Sequence, residues 1–122
     1  MPGRRIVKLP NADKAIVEAA KLRDYCLNPA HPEGRHKARV FRSALGVGQE
    51  QAEWLREAIL AALTHAEVAY AEETPYGWRY DVDIVLTHGG KSASVRTGWL
   101  VRKTENLPRL ATCFVRSPNE IA

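Results

Sequence analysis

After Gly77 the chain switches to a two-residue alternation, and this switch constrains its fold more than any other feature. Trp78, Tyr80, Val82, Ile84 and Leu86 alternate with Arg79, Asp81 and Asp83, the pattern of a strand buried on one side. His88-Gly89-Gly90 then supplies a hairpin turn. From Lys91 the alternation resumes, with Ala93, Val95, Thr97, Trp99 and Val101 on one face and Ser92, Ser94 and Arg96 on the other. Asn106-Leu107-Pro108 breaks the chain before a last strand, Arg109 to Val115. Residues 67–73 fit a further strand.

Upstream the period is helical. Ala19, Leu22, Tyr25 and Cys26 share one face, which predicts a helix over about residues 18–27 that stops at Asn28-Pro29. Ala15-Ile16-Val17 fits either a short strand or the first turn of that helix. A second helix is expected over 35–45, with Ala38, Phe41 and Leu45 inward and Gly46 as its cap. A third fits 49–65, where Ala52, Leu55, Ile59, Ala62 and Leu63 form a stripe. The expected class is therefore α+β, with about three N-terminal helices followed by an antiparallel β-meander of three to four strands.

With 122 residues the chain holds a single domain, with residues 1–12 as an extended entry segment and 117–122 as a loose tail. No run approaches the roughly 20 apolar residues of a membrane span, and the first ten residues lack the apolar stretch of a signal peptide. Cys26 and Cys113 permit at most one bridge; read as free thiols they fit a reducing cytoplasm.

The formal net charge of +4 is unevenly placed. Residues 1–45 carry an excess of basic residues, 46–77 carry six acids against Arg56 alone, and 78–122 are again basic. Such a layout leaves a positive face suited to a polyanion, although charge of this size also serves solubility alone. Glu50, Glu53 and Glu57 complement the start of the third helix.

No metal-ligand spacing, glycine-rich nucleotide loop or nucleophile elbow occurs, so neither metal nor cofactor is expected. The richest constellation is His31-Pro32-Glu33-Gly34-Arg35-His36-Lys37, two imidazoles and three charged groups around a turn that enters a helix. A helix N-terminus favours anions, and histidine suits proton transfer near neutral pH. The plain alternative is a solvated turn with scattered basic residues. Arg39 and Arg42 continue the face of Arg35. On the sheet, Arg96, Thr97, Arg109 and Thr112 form a second group. For Arg96 the alternative is solvent exposure or pairing with Asp81 or Asp83; for Arg109 it is an exposed strand start.

Taken together, Leu9-Pro10-Asn11-Ala12, Lys21-Leu22-Arg23-Asp24-Tyr25, Leu27 to Gly34, Lys37 to Phe41, Ala44-Leu45-Gly46, Tyr76-Gly77, Val95 to Trp99 and Pro108 to Thr112 resemble a family of uncharacterised bacterial domains. These occur at the C-termini of polymorphic toxins and as small stand-alone proteins. Domains of this layout often look like the barnase, EndoU, colicin and RelE-like ribonucleases, a fold-level analogy. The resemblance implies a toxin-like, metal-independent endoribonuclease in which a 2′-hydroxyl attacks the adjacent phosphate. It places the family's turn histidine, glycine and helix lysine on His31, Gly34 and Lys37. The strand arginine and threonine fall on Arg96 and Thr97, and the last-strand pair on Arg109 and Thr112. His31, Lys37, Arg96, Arg109 and Thr112 are the expected catalytic residues. Gly34, Arg35, His36, Arg39, Arg42 and Thr97 are the expected RNA or phosphate contacts. Phe114 stands where such tails often carry tyrosine. RNA and an antitoxin or immunity protein are the implied partners. The alternative is a non-catalytic protein whose basic face docks an acidic partner or RNA. Convergence of His31 and Lys37 with Arg96, Arg109 or Thr112 around one cleft discriminates between them.

Overall fold

The alternating region folds as the hairpin its spacing predicts. Strands β2 (Gly77–His88) and β3 (Lys91–Arg102) pair antiparallel without interruption, from Gly77 opposite Arg102 to His88 opposite Lys91. Gly89 and Gly90, at φ 57° and 82°, close the two-residue turn in the left-handed conformation that matches strand twist. The computed structural model describes residues 8–116; most of the expected entry segment and the tail from 117 lie outside them.

Strands β1 (Val68–Thr74) and β4 (Pro108–Val115) flank the hairpin in the order β1-β2-β3-β4, a four-stranded meander. Its register shifts between Gly98 and Trp99 against β4, so that both Leu110 and Cys113 turn inward. Residues 15–17, open between strand and helix on sequence, are extended. Ile16 donates to the Pro108 carbonyl at 2.8 Å and accepts from Leu110 at 3.0 Å, a parallel bridge that covers the start of the β4 edge.

The helices precede the strands. Helix α1 (Ala19–Lys21) is one turn long and widens into a π-helical stretch, Leu22–Cys26. There the Leu27 amide reaches back to the Leu22 carbonyl at 2.8 Å. Helix α2 (Arg35–Leu45) ends at Gly46 in the left-handed conformation. A 3₁₀ turn (Gln49–Gln51) leads into α3 (Ala52–Leu63), so the expected single helix over 49–65 is divided and shorter.

One core joins the two layers. Leu22, Cys26, Phe41, Leu45, Leu55, Ile59 and Leu63 from the helices meet Val82, Ile84, Val95, Trp99, Leu110 and Cys113 from the sheet. His88 ties the layers at the hairpin end, with Nδ1 2.8 Å from the Leu45 carbonyl and its ring 4.6 Å from that of Trp54.

Candidate active site

The site is built where α2 and the π-helical stretch meet strand β4. Asn28 forms an Asx turn, its Oδ1 accepting from the Ala30 amide at 2.9 Å. This reverses the chain at Pro29 and brings Gly34 against the preceding segment. A Cβ at Gly34 would lie 2.1 Å from the Tyr25 carbonyl oxygen, so only glycine permits this approach. The wide turn at Leu22–Cys26, the kind of helical irregularity that gathers at functional sites, and Gly34 thereby set Tyr25 beside α2.

Lys37 is the centre of the cluster. Its Nζ donates to the Tyr25 hydroxyl at 2.7 Å and to Thr112 Oγ1 at 3.3 Å. The ammonium lies 4.7 Å from the centroid of the Tyr25 ring and 5.8 Å from that of Phe114, within cation–π range of both. An ammonium has three donors and the phenol keeps its own O–H. The pair therefore retains hydrogen bonds to offer an incoming anion. Gly98 lies opposite Thr112 in the sheet, and its missing Cβ leaves room for the Thr112 methyl, which would stand 2.8 Å from it.

His31 packs on the same phenol, its ring T-shaped to that of Tyr25 with centroids 4.9 Å apart. Its Nδ1 accepts from the Glu33 and Gly34 amides at 3.0 and 2.9 Å. Backbone amides only donate, so Nδ1 holds a lone pair and the proton sits on Nε2. In this geometry His31 anchors the entry to α2 and presents an N–H, rather than a free basic nitrogen.

The other expected residues are placed differently. Thr97 is fully buried; its hydroxyl donates to the Val82 carbonyl and accepts from Trp99 Nε1, both at 2.7 Å. That hydroxyl is inaccessible to a phosphate and serves instead to satisfy the buried indole. Arg96 reaches across to Asp83 with Nε–Oδ1 2.8 Å and Nη2–Oδ2 2.9 Å, one of the two pairings open on sequence. Arg116 Nη1 joins Asp83 at 2.9 Å. The Arg96 guanidinium, the principal cause, holds the Asp83 carboxyl below its ordinary range. Arg96 stands opposite Phe114 in register and so borders the Lys37 cluster. Arg109 does not join it: bound to Glu105 through two 2.9 Å hydrogen bonds, it lines a separate cleft with Lys21 and Arg102. Arg35, His36, Arg39 and Arg42 are all exposed along α2.

Cys26 and Cys113 follow Tyr25 and Thr112 in sequence and meet behind them as buried free thiols. The hydrogen bond with Cys113 draws the Cys26 thiol down, while the same contact and burial push Cys113 well up. Among the described residues, no group of three or more His, Cys, Asp or Glu side chains could hold a metal ion. No helix of the described residues is long and apolar enough to cross a membrane.

Sequence reasoning gave Tyr25 no role. The helical spacing that placed it inward with Leu22 and Cys26 concealed the outward hydroxyl.

Residues 8–117 match a family described as a domain of unknown function, DUF6883. The chain belongs to this family. The DUF6883 fold is similar to that of a chain in a contact-dependent growth inhibition toxin–immunity protein complex from Klebsiella pneumoniae 342. The TM-score is 0.65 at 16% identity, over 84% of this chain and 100% of the other. Among curated proteins, none matches the sequence.

Proposed function

We propose that this DUF6883 chain is a toxin-type endoribonuclease whose reaction centres on Lys37 and Tyr25. The observation that carries the reading is the bridge of Lys37 Nζ between the Tyr25 and Thr112 hydroxyls, beside a helix whose exposed residues include Arg35, His36, Arg39 and Arg42. The toxin-type component rests on the fold likeness to the growth-inhibition complex.

In this reading Lys37 and Thr112 hold a non-bridging oxygen of the scissile phosphate, and the His31 N–H supports Tyr25 or the same oxygen. The 2′-oxygen attacks phosphorus as the bond to the 5′-oxygen breaks. The 2′-hydroxyl proton passes to a non-bridging oxygen, and the Tyr25 phenol gives its proton to the leaving 5′-oxygen. Lys37 reprotonates the phenolate and recovers a proton from the phosphate. The products are a 2′,3′-cyclic phosphate and a 5′-hydroxyl, with no net change in protons. The ammonium is worth most here because the charge it meets grows in the transition state. Arg96 adds positive potential from its place beside Phe114, and the α2 stripe guides RNA toward the site.

The test is incubation of the purified protein with tRNA, rRNA and mRNA in EDTA, with sequencing of the new ends. Discrete cuts bearing 5′-hydroxyls support the proposal, and intact RNA in all three pools overturns it.

A second reading is favoured by α2 itself. Its exposed cationic side chains form a docking surface for an acidic partner of the immunity-protein kind. Charge reversal at Arg39 and Arg42 that abolishes capture of such a partner, with RNA left intact by the wild type, selects this reading.

A further inference from the structure

Two depressions on the sheet side of the molecule share one residue, Arg102. The first, a cleft of about 400 Å³, is lined by Ile16, Glu18, Lys21, Arg102, Arg109 and Leu110. Three of its six residues are cationic and one is acidic. The second, a groove of about 750 Å³, runs past the β1–β2 turn and the end of β3 and includes Tyr76, Trp78 and Leu100. Tyr76 is 82% exposed, Trp78 42% and Leu100 41%. Large apolar groups gathered at a surface in this way mark a binding site. The Trp78 and Tyr80 rings lie stacked with centroids 6.1 Å apart.

The two depressions also line up with the Lys37 cluster. Thr112 lies opposite Gly98, Arg109 opposite Leu100, and Gly77 opposite Arg102. Going from the Gly98 row to the Arg102 row is four residues along β3, or about 13 Å. Hydroxyl and ammonium donors, then guanidinium groups, therefore follow one another toward the end of the sheet where Tyr76 and Trp78 line the groove with Arg102. On the far side of Trp78 stands β1, where Glu73 pairs with Trp78 and Glu72 with Arg79. A polyanion is repelled on that side by the Glu73 carboxylate, in register with Trp78.

We infer that the cationic cleft and the aromatic groove form one track for single-stranded RNA, with phosphates held by Lys21, Arg102 and Arg109 and bases stacked on Tyr76 and Trp78. The sequence of cations and aromatic faces is what binding of a single strand requires: charge follows the backbone, and any base has a π-face to stack. A duplex keeps its bases paired and stacked inside and offers none to these rings. The inference deepens the ribonuclease proposal by naming its substrate as unpaired RNA several nucleotides long.

The experiment is fluorescence anisotropy with a 2′-O-methyl RNA hexanucleotide, which resists cleavage, against the corresponding dinucleotide and a duplex. Tyr76→Ala and Arg102→Ala are the variants, since both side chains are exposed and leave the core intact; thermal melts verify folding. The hexanucleotide is expected to bind more tightly than either control. Tyr76→Ala weakens it about tenfold without changing the salt dependence. Arg102→Ala lowers the slope of log affinity against log salt by about 0.7, the loss of one phosphate contact on a single strand. Equal affinity for hexanucleotide and dinucleotide, or unchanged binding in both folded variants, overturns the track and leaves the groove to a protein partner. Hexanucleotide binding that depends on both residues, in a protein that cuts no RNA, upholds the track and removes the nuclease proposal instead.

Discussion

Lys37 Nζ sits 2.7 Å from the Tyr25 hydroxyl and 4.7 Å from the centroid of the same ring. One side chain thus meets the phenol as hydrogen-bond donor and lies within cation–π distance of its ring. The π-helical stretch and Gly34 exist in positions that make this contact possible, and the proposed chemistry depends on it.

Lys37→Ala is expected to lower RNA cleavage by about 100- to 1,000-fold, the cost of removing one positioned donor to a developing oxyanion. Folding should change little, since Lys37 is not a member of the buried core. Single-turnover rates read beside a urea melt check both halves. A variant that keeps its rate removes Lys37 from the reaction.

Gly34→Ala probes the approach of the turn to Tyr25. The added methyl would stand 2.1 Å from the Tyr25 carbonyl oxygen, so the backbone must separate. The expected loss is about 1–3 kcal/mol of stability, together with cleavage activity as Tyr25 leaves Lys37. Denaturant midpoints and the cleavage rate measure the two effects, and an unperturbed melt would contradict this packing.

Asp83 gives the pH dependence of the sheet. Chiefly because of Arg96, its folded pKa lies below the unfolded value, which is about 3.9. The stabilisation is therefore complete above that unfolded value and is lost as pH falls through the lower, folded one. Asp83→Asn should cost about 1–2 kcal/mol at neutral pH and flatten the acid limb of the stability profile. Urea melts of both proteins from about pH 5 downward read the difference.

The buried thiols respond as a pair. Because Cys113 stabilises the Cys26 thiolate by hydrogen bonding, Cys113→Ala should move the Cys26 titration upward. Ultraviolet thiolate absorbance follows this directly. In the wild type, both thiols are buried and should react with a disulfide reagent only as the domain unfolds.

Much of the sheet was legible because strand alternation and turn chemistry agree from Gly77 to Val115. The same alternation set Thr97 on the inward face with Trp99, a signal that its hydroxyl serves the core rather than a ligand. The helical region was harder to read. Leu22, Tyr25 and Cys26 fit a 3.6-residue turn and a wider π turn equally well, so the irregularity at Leu22–Cys26 left no mark on the apolar pattern. Tyr25 was hidden for the same reason, since an aromatic on an apolar stripe reads as packing. Arg109 separated from Lys37 because the β4 bulge and the Ile16 bridge direct the start of that strand toward Lys21 and Arg102. Those are contacts between distant segments, which no local pattern records.

The most direct test of the Lys37–Tyr25 site is a comparison of Tyr25→Phe with wild type in single-turnover cleavage of one RNA in EDTA. The substitution removes the hydroxyl while keeping the ring that packs on His31 and lies 4.7 Å from Lys37 Nζ. The expected result is a folded protein whose cleavage falls about 100-fold or more, with the residual product still ending in a 2′,3′-cyclic phosphate. Wild-type cleavage that Tyr25→Phe leaves unchanged would contradict the account.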